Sequence, residues 1–118
     1  MPSLLIVDDE PDIRFLLRCM AEQAEWYVAG EAASGQEALD CYWQLKPDVI
    51  VLDHRMPGLS GLETAERILA EHPYQAIVLF TAFRDPALER AARALNIRAC
   101  LPKSDLARLL PELRACIT

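Results

Sequence analysis

No apolar run in this sequence approaches a membrane span: the longest strictly apolar stretch is residues 76–80, where a spanning helix needs about 20. The amino terminus lacks what a secretory leader requires, with Asp8, Asp9 and Glu10 standing where a leader has a basic end and an apolar centre. Positive charge is in deficit, 12 Lys and Arg against 18 Asp and Glu for a formal net charge of -6. That balance opposes the phosphate attraction behind most non-specific nucleic-acid affinity. No membrane role and no direct nucleic-acid binding are therefore expected, and proteins are the natural partners. Paired cysteines are missing too. Cys19, Cys41, Cys100 and Cys116 lie far apart with no CxxC pair, and are expected as reduced core thiols of a cytoplasmic protein. His54 and His72 have no partner at the usual zinc spacings, so neither is expected to bind metal. Internal repeats, low-complexity tracts and linkers are absent, and 118 residues fit one domain spanning 1–118.

What is present is an alternation. Short apolar runs at 4–7, 27–30, 49–52, 77–80 and 99–101 alternate with longer stretches of helical period, the pattern of strand-helix units around a parallel sheet. The first helix is predicted from Pro11 to about Ala24, with Ile13, Leu16, Leu17, Met20 and Ala24 facing inward. The second begins near Ser34, turns Ala38, Cys41, Tyr42 and Leu45 inward and stops at Lys46-Pro47. The third covers 61–71. The fourth starts with Asp85 as N-cap and Pro86 as first residue, buries Leu88, Ala91, Ala92 and Leu95, and ends at a left-handed Asn96. In the last segment Leu106, Leu109, Leu110, Leu113 and Ile117 share a stripe that Pro111 interrupts. A proline in a helix interior costs about 3 kcal/mol, so a turn over 104–110 and a helix restarting at Pro111, or else a kink, is expected. Trp26 and Trp43 read as packing residues because of the area such rings bury.

In open parallel sheets ligands bind outside the carboxyl ends of the strands. Here the first strand runs into Asp8, Asp9 and Glu10, the third into Asp53, the fourth into Thr81, and the fifth, through Pro102, into Lys103. Taken singly, each has an ordinary structural reading: charges on a helix dipole, a turn cap, a strand-end hydroxyl, a solvated lysine. Their coincidence at four strand ends points to a site. Carboxylates within 4 Å repel by about 4 kcal/mol per pair at an effective dielectric near 20, which calls for a cation or shifted protonation. Oxygen ligands suit magnesium, and a lysine and a hydroxyl suit an anion. The implied chemistry is phosphoryl transfer with a carboxylate as nucleophile.

The ordered set Leu4-Leu5-Ile6-Val7-Asp8-Asp9-Glu10, Asp48-Val49-Ile50-Val51-Leu52-Asp53, Met56-Pro57-Gly58, Thr81-Ala82 and Leu101-Pro102-Lys103 resembles a bacterial response-regulator receiver domain of the CheY-like kind, along the whole chain. The resemblance implies a flavodoxin-like (βα)5 α/β sandwich whose five parallel strands run in order 2-1-3-4-5. It implies that Asp53 accepts a phosphoryl group from a histidine kinase or phosphotransfer protein. Mg2+, with Mn2+ as an alternative, would be held by Asp9 and Asp53 directly, by Asp8 through water and by the backbone carbonyl of Arg55. Thr81 and Ala82 would contact the phosphoryl oxygens, with Lys103 paired to them electrostatically. Phosphorylation would alter the face formed by the fourth helix, fifth strand and fifth helix, changing affinity for a downstream protein or promoting a homodimer. Such a domain is a phosphoacceptor and not a turnover enzyme.

Some positions depart from that pattern. Cys100 stands three residues before Lys103, where relatives carry a Tyr or Phe that moves as the Thr engages phosphate. Ser104 replaces a common proline, so no cis bond is expected after Lys103. Arg55 and Phe83 occupy positions that influence how long the phosphoryl group survives. Two alternatives remain at this point: a pseudo-receiver that binds partners without phosphorylation, and a magnesium phosphohydrolase, which Arg55 disfavours by standing where such enzymes place their second acid. With no effector segment after Thr118 in this sequence, the expectation is a single-domain regulator or the receiver part of a longer protein.

Overall fold

The computed structural model describes residues 1–83 and 85–118. Five strands, β1 (Ser3–Val7), β2 (Tyr27–Ala32), β3 (Val49–Leu52), β4 (Ala76–Thr81) and β5 (Ala99–Pro102), alternate with α1 (Pro11–Gln23), α2 (Gly35–Leu45), α3 (Gly61–Glu71), α4 (Pro86–Ala94) and α5 (Leu109–Ala115). The strands form one parallel sheet in the order β2-β1-β3-β4-β5, the expected flavodoxin-like arrangement. Because crossovers are right-handed, the step from β1 out to β2 puts α1 on one face, and the steps in the other direction put α2, α3 and α4 on the opposite face. Strand alternation sorts the core accordingly. Leu5, Val7, Ile50, Leu52, Ile77 and Leu79 pack with Ala38, Tyr42, Ala65, Ile68 and Leu88. Leu4, Ile6, Val51, Val78 and Phe80 pack with Leu17, Ala21, Leu109 and Leu113. The central strands β3 and β4 are buried along their whole length, which is why they read as continuous apolar runs. Among the described residues no helix is long and apolar enough to cross a membrane.

The helix starts follow from local chemistry. Ser34 and Asp85 accept from the backbone N–H of Glu37 and Leu88. Ser60 and Glu63 form a reciprocal capping box at the start of α3, and Ser60→Ala should lower stability by about 1 kcal/mol, read as a fall in the midpoint of a thermal melt. Asn96 is left-handed, with φ 65°, as its position implied. The second helix stops before Pro47 as expected, at Leu45, with Lys46 as a left-handed C-cap at φ 47°.

Four expectations are corrected. Leu16 points outward and is 44% exposed, while Leu17 and Ala21 supply the buried contacts of α1. Trp43 is 57% exposed and stacks on His72 with ring centroids 4.2 Å apart; Trp26 is buried. The four thiols are half-buried at the margins and not in the core. Finally, α5 begins before Pro111: a 3-10 turn over Leu106–Arg108 runs into a helix from Leu109. Pro111 is its third residue, where the N–H has no intrahelical acceptor in any helix, so the missing donor costs no bond and no kink is needed.

Candidate functional site

The strand ends converge because the parallel ladders continue one residue further. Asp8 N–H donates to the Ala32 carbonyl at 3.1 Å, Asp53 N–H to Val7 at 2.9 Å, and Lys103 N–H to Thr81 at 2.8 Å. These bonds carry the sheet's registration into the loops and hold the backbones of Asp8, Asp53, Thr81 and Lys103 along one edge. Beneath Asp53 the first residue of α3 is glycine. A Cβ on Gly61 would collide with the Asp53 carbonyl oxygen and lie 2.7 Å from His54 Cα.

Burial then sets the electrostatics. Asp8 is 1% exposed and Asp53 4%, and Lys103 Nζ bridges them, 2.7 Å from Asp8 Oδ2 and 3.3 Å from Asp53 Oδ2, with Glu10 Oε1 at 3.4 Å. Loss of water, followed by the charge of Asp8, pushes the Asp53 carboxyl up to about 6 against the opposing pull of Lys103. Burial works against the Lys103 ammonium, but its hydrogen bond to Asp8 and the charges of Asp53 and Asp8 outweigh that and raise its pKa. One carboxylate oxygen each of Asp8, Asp9 and Glu10 fall within 4.8 Å of one another. Asp53 stands outside that trio and is tied to Asp8 through Lys103. Thr81 is fully buried and its Oγ1 has no hydrogen-bond partner among the described residues, at an expected cost of about 1–3 kcal/mol. An all-oxygen, net negative donor set fits a hard divalent cation, and an ammonium and an unsatisfied hydroxyl on residues whose backbones are bonded to each other suit an anionic oxygen.

A pH dependence follows for the metal-free protein. A carboxyl whose folded pKa, about 6, lies above its ordinary 3.8 favours folding most when protonated. Its contribution is therefore full below about pH 4 and is lost as pH rises through about 6, by roughly 3 kcal/mol at most. In the presence of a chelator, Asp53→Asn should remove this loss, so that melts of the variant gain on those of the wild type as pH rises from about 4 to about 6 and hold a constant advantage above about 7.

The remaining sequence candidates are spread around this centre. Asp9 is half-buried, and Ala82 and Arg55 are exposed. The Arg55 guanidinium lies 5.1 Å from the centre of the Phe83 ring, joining the loops after β3 and β4. His54 is half-buried, and its Nδ1 lies 3.4 Å from the Leu62 N–H at the start of α3. Cys100 is half-buried on β5, opposite Leu79, beside a cleft of about 260 Å³ that Ala92, Arg93 and Ile97 also line. The peptide bond after Lys103 is trans, as Ser104 implied. Two contributors were missed. Gly61 reads only as a helix start and Arg14 drew no reading, yet Arg14 Nη1 donates to the Asp8 carbonyl at 2.6 Å; neither carries a sequence signal beyond its place in the first turns of a helix.

Residues 4–114 match the family described as response regulator receiver domain. The chain belongs to that family. Among relatives of this receiver, the chemotaxis protein CheY of Thermotoga maritima is 35% identical over 85 residues, 72% of this chain and 71% of that protein. A protein-glutamate methylesterase/protein-glutamine glutaminase of Hahella chejuensis is 45% identical over 81 residues, 69% of this chain but 23% of that protein. The receiver thus spans less than a quarter of the length of that relative. Among solved structures, the response regulator protein TrrA of Thermotoga maritima, in complex with Mg(2+)-BeF, superposes with a TM-score of 0.89 at 31% identity, covering 98% of this chain and 99% of that one.

Proposed function

We propose that residues 1–118 act as one phosphorylatable receiver unit in which Asp53 accepts a phosphoryl group from a phosphohistidine of a histidine kinase or phosphotransfer protein. The observation that carries this reading is a buried carboxylate held 3.3 Å from Lys103 Nζ at the sheet edge that also carries the unpartnered Thr81 hydroxyl: a nucleophile sharing its edge with anion-binding groups. An Asp53 carboxylate oxygen attacks phosphorus, the new O–P bond forms, and the donor's P–N bond breaks with its electron pair leaving on the imidazole. Lys103 moves its ammonium from the carboxylates toward the new phosphoryl oxygens, and Thr81 gains the acceptor it lacks. The Ala82 backbone N–H lies one residue past the end of β4 and supplies a second donor. Mg2+, or Mn2+ in its place, would be held by Asp8, Asp9, Asp53 and the Arg55 carbonyl, and when bound would supply neutralisation of the charge that accumulates on the phosphoryl oxygens.

The consequence is a change of surface. Relief of the Thr81 hydroxyl and movement of Lys103 pull on β4 and β5, and the face of α4, β5 and α5 then changes its affinity for a downstream protein target or for a second copy. With Cys100 in place of a large aromatic and a cleft beside it, α4 and β5 themselves must carry that change. The chain is a phosphoacceptor and not a turnover enzyme, working in the cytoplasm on protein partners. The test is incubation with acetyl phosphate and MgCl2 followed by intact-mass measurement. A gain of one phosphoryl group, abolished by a chelator, is expected; no gain under any donor tried would overturn the reading.

A further inference from the structure

We infer that Arg14 is a positioning residue of the acidic turn: by clamping the Asp8-Asp9 peptide it sets the direction in which Asp9 presents its carboxylate to a divalent cation. The inference rests on the cation-assisted reading above. Arg14 lies one turn into α1, and its Nη1 donates to the Asp8 carbonyl at 2.6 Å while its Nε sits 3.4 Å from Glu31 Oε1 on the edge strand β2. Glu31 is held in turn by Arg18, whose Nε donates to Glu31 Oε2 at 2.6 Å. The brace thus runs from α1 through β2 into the turn that follows β1.

Asp8 and Asp9 depend on this brace to different degrees. Asp8 is fixed independently: its N–H is in the sheet ladder, its Oδ1 accepts from Glu10 N–H at 2.9 Å, and its Oδ2 meets Lys103 at 2.7 Å. The Asp9 carboxylate has no hydrogen bond from any described residue, so its placement depends on the backbone from which its Cα–Cβ bond projects, and the carbonyl of the peptide before it is held by Arg14. A planar guanidinium serves a carbonyl and a carboxylate at once, whereas an ammonium acts as a point charge. Charge and geometry also pull in opposite directions. As a cation near the acidic trio Arg14 repels a metal ion, an effect that Glu31 offsets, while as a clamp it favours one.

The test uses the full chain as wild type, Arg14→Lys, Arg14→Met and Arg18→Met, with two readouts: amide-shift titration with MgCl2 alone, and hydrogen exchange at Asp9 and Glu10 in chelator. The clamp predicts that both Arg14 variants weaken Mg2+ binding by about 10-fold, the scale of outer-shell effects on metal sites, and that both speed local exchange while global exchange in the core is unchanged. Arg18→Met, which keeps the Asp8 bond but loosens the Glu31 end of the brace, should fall between wild type and the Arg14 variants in both readouts. Tighter binding in Arg14→Met with no change in Arg14→Lys would show a pure charge effect and overturn the inference, as would unchanged exchange in both. A wild type that shows no Mg2+ response sinks the cation-assisted reading and with it the role assigned to Arg14. A wild type that responds while the Arg14 variants bind equally well sinks the clamp alone.

Discussion

Asp53→Asn takes up no phosphoryl group from acetyl phosphate and MgCl2 under conditions in which the wild-type chain is modified. The substitution preserves volume and shape at a position 4% exposed, so the loss is chemical: an amide oxygen is a far weaker nucleophile than a carboxylate, and one anionic ligand of the proposed cation site disappears. The fold should survive, because burial and the Asp8 charge oppose ionisation of Asp53 more than Lys103 supports it. A variant that melts no lower than wild type yet stays unmodified by intact mass is the expected result. Beryllofluoride with MgCl2 should likewise shift amide signals on β4, β5 and α4 in the wild type and leave them unchanged in the variant. Modification that persists in Asp53→Asn would move the acceptor to Asp8, the other buried carboxylate on Lys103, and would remove the role proposed for Asp53.

Gly61→Ala lowers stability by about 3 kcal/mol or more, and so the melting midpoint by roughly 10 °C, with loss of order around Asp53. The added methyl meets backbone, the Asp53 carbonyl oxygen and His54 Cα, so no side-chain rotation can relieve it. Either α3 withdraws, breaking the 2.8 Å bond from Gly61 N–H to the His54 carbonyl, or the loop carrying Asp53 moves. Overpacking of this kind ordinarily costs 1–3 kcal/mol when side chains can yield, and rigid backbone places this case at or above the upper end. Gly58→Ala is the informative comparison. Gly58 has open space around it but φ +80°, so it should cost about 1 kcal/mol through backbone strain alone. Equal melting of the two variants would show that the close approach of α3 to Asp53 is not a constraint.

The site's inventory was legible in advance and its wiring was not. Asp8, Asp9, Asp53, Thr81 and Lys103 declare themselves because each follows an apolar run, and parallel strands deliver such residues to one edge whatever the loops do. Leu16 was misplaced because a helical stripe gives a direction only to within a residue or so, and Trp43 because ring size alone does not say which side of the helix it stands on. The half of a helix that faces the sheet depends on the angle at which it docks. Pro111 misled for a related reason: its cost depends on whether it stands in the first turn, and that boundary is set by how the preceding 3-10 turn packs Leu109 against the sheet.

By itself the sequence determined the alternation of five strands and five helices, the identity of the residues at the strand ends and, through its family-wide motifs, membership of the receiver family. Those are carried by local periodicity and by residue type, which need no knowledge of distance. Only the tertiary structure decided that Lys103 bridges Asp8 and Asp53, that Thr81 is buried without a partner, that Arg14 holds the Asp8 carbonyl and that Gly61 lies against Asp53. The three contacts join residues from different parts of the chain within a few ångströms, and the burial of Thr81 likewise depends on what packs around the strand end. Such distances are set by right-handed crossovers and by the spacing of hydrogen-bonded strands, which no local pattern encodes.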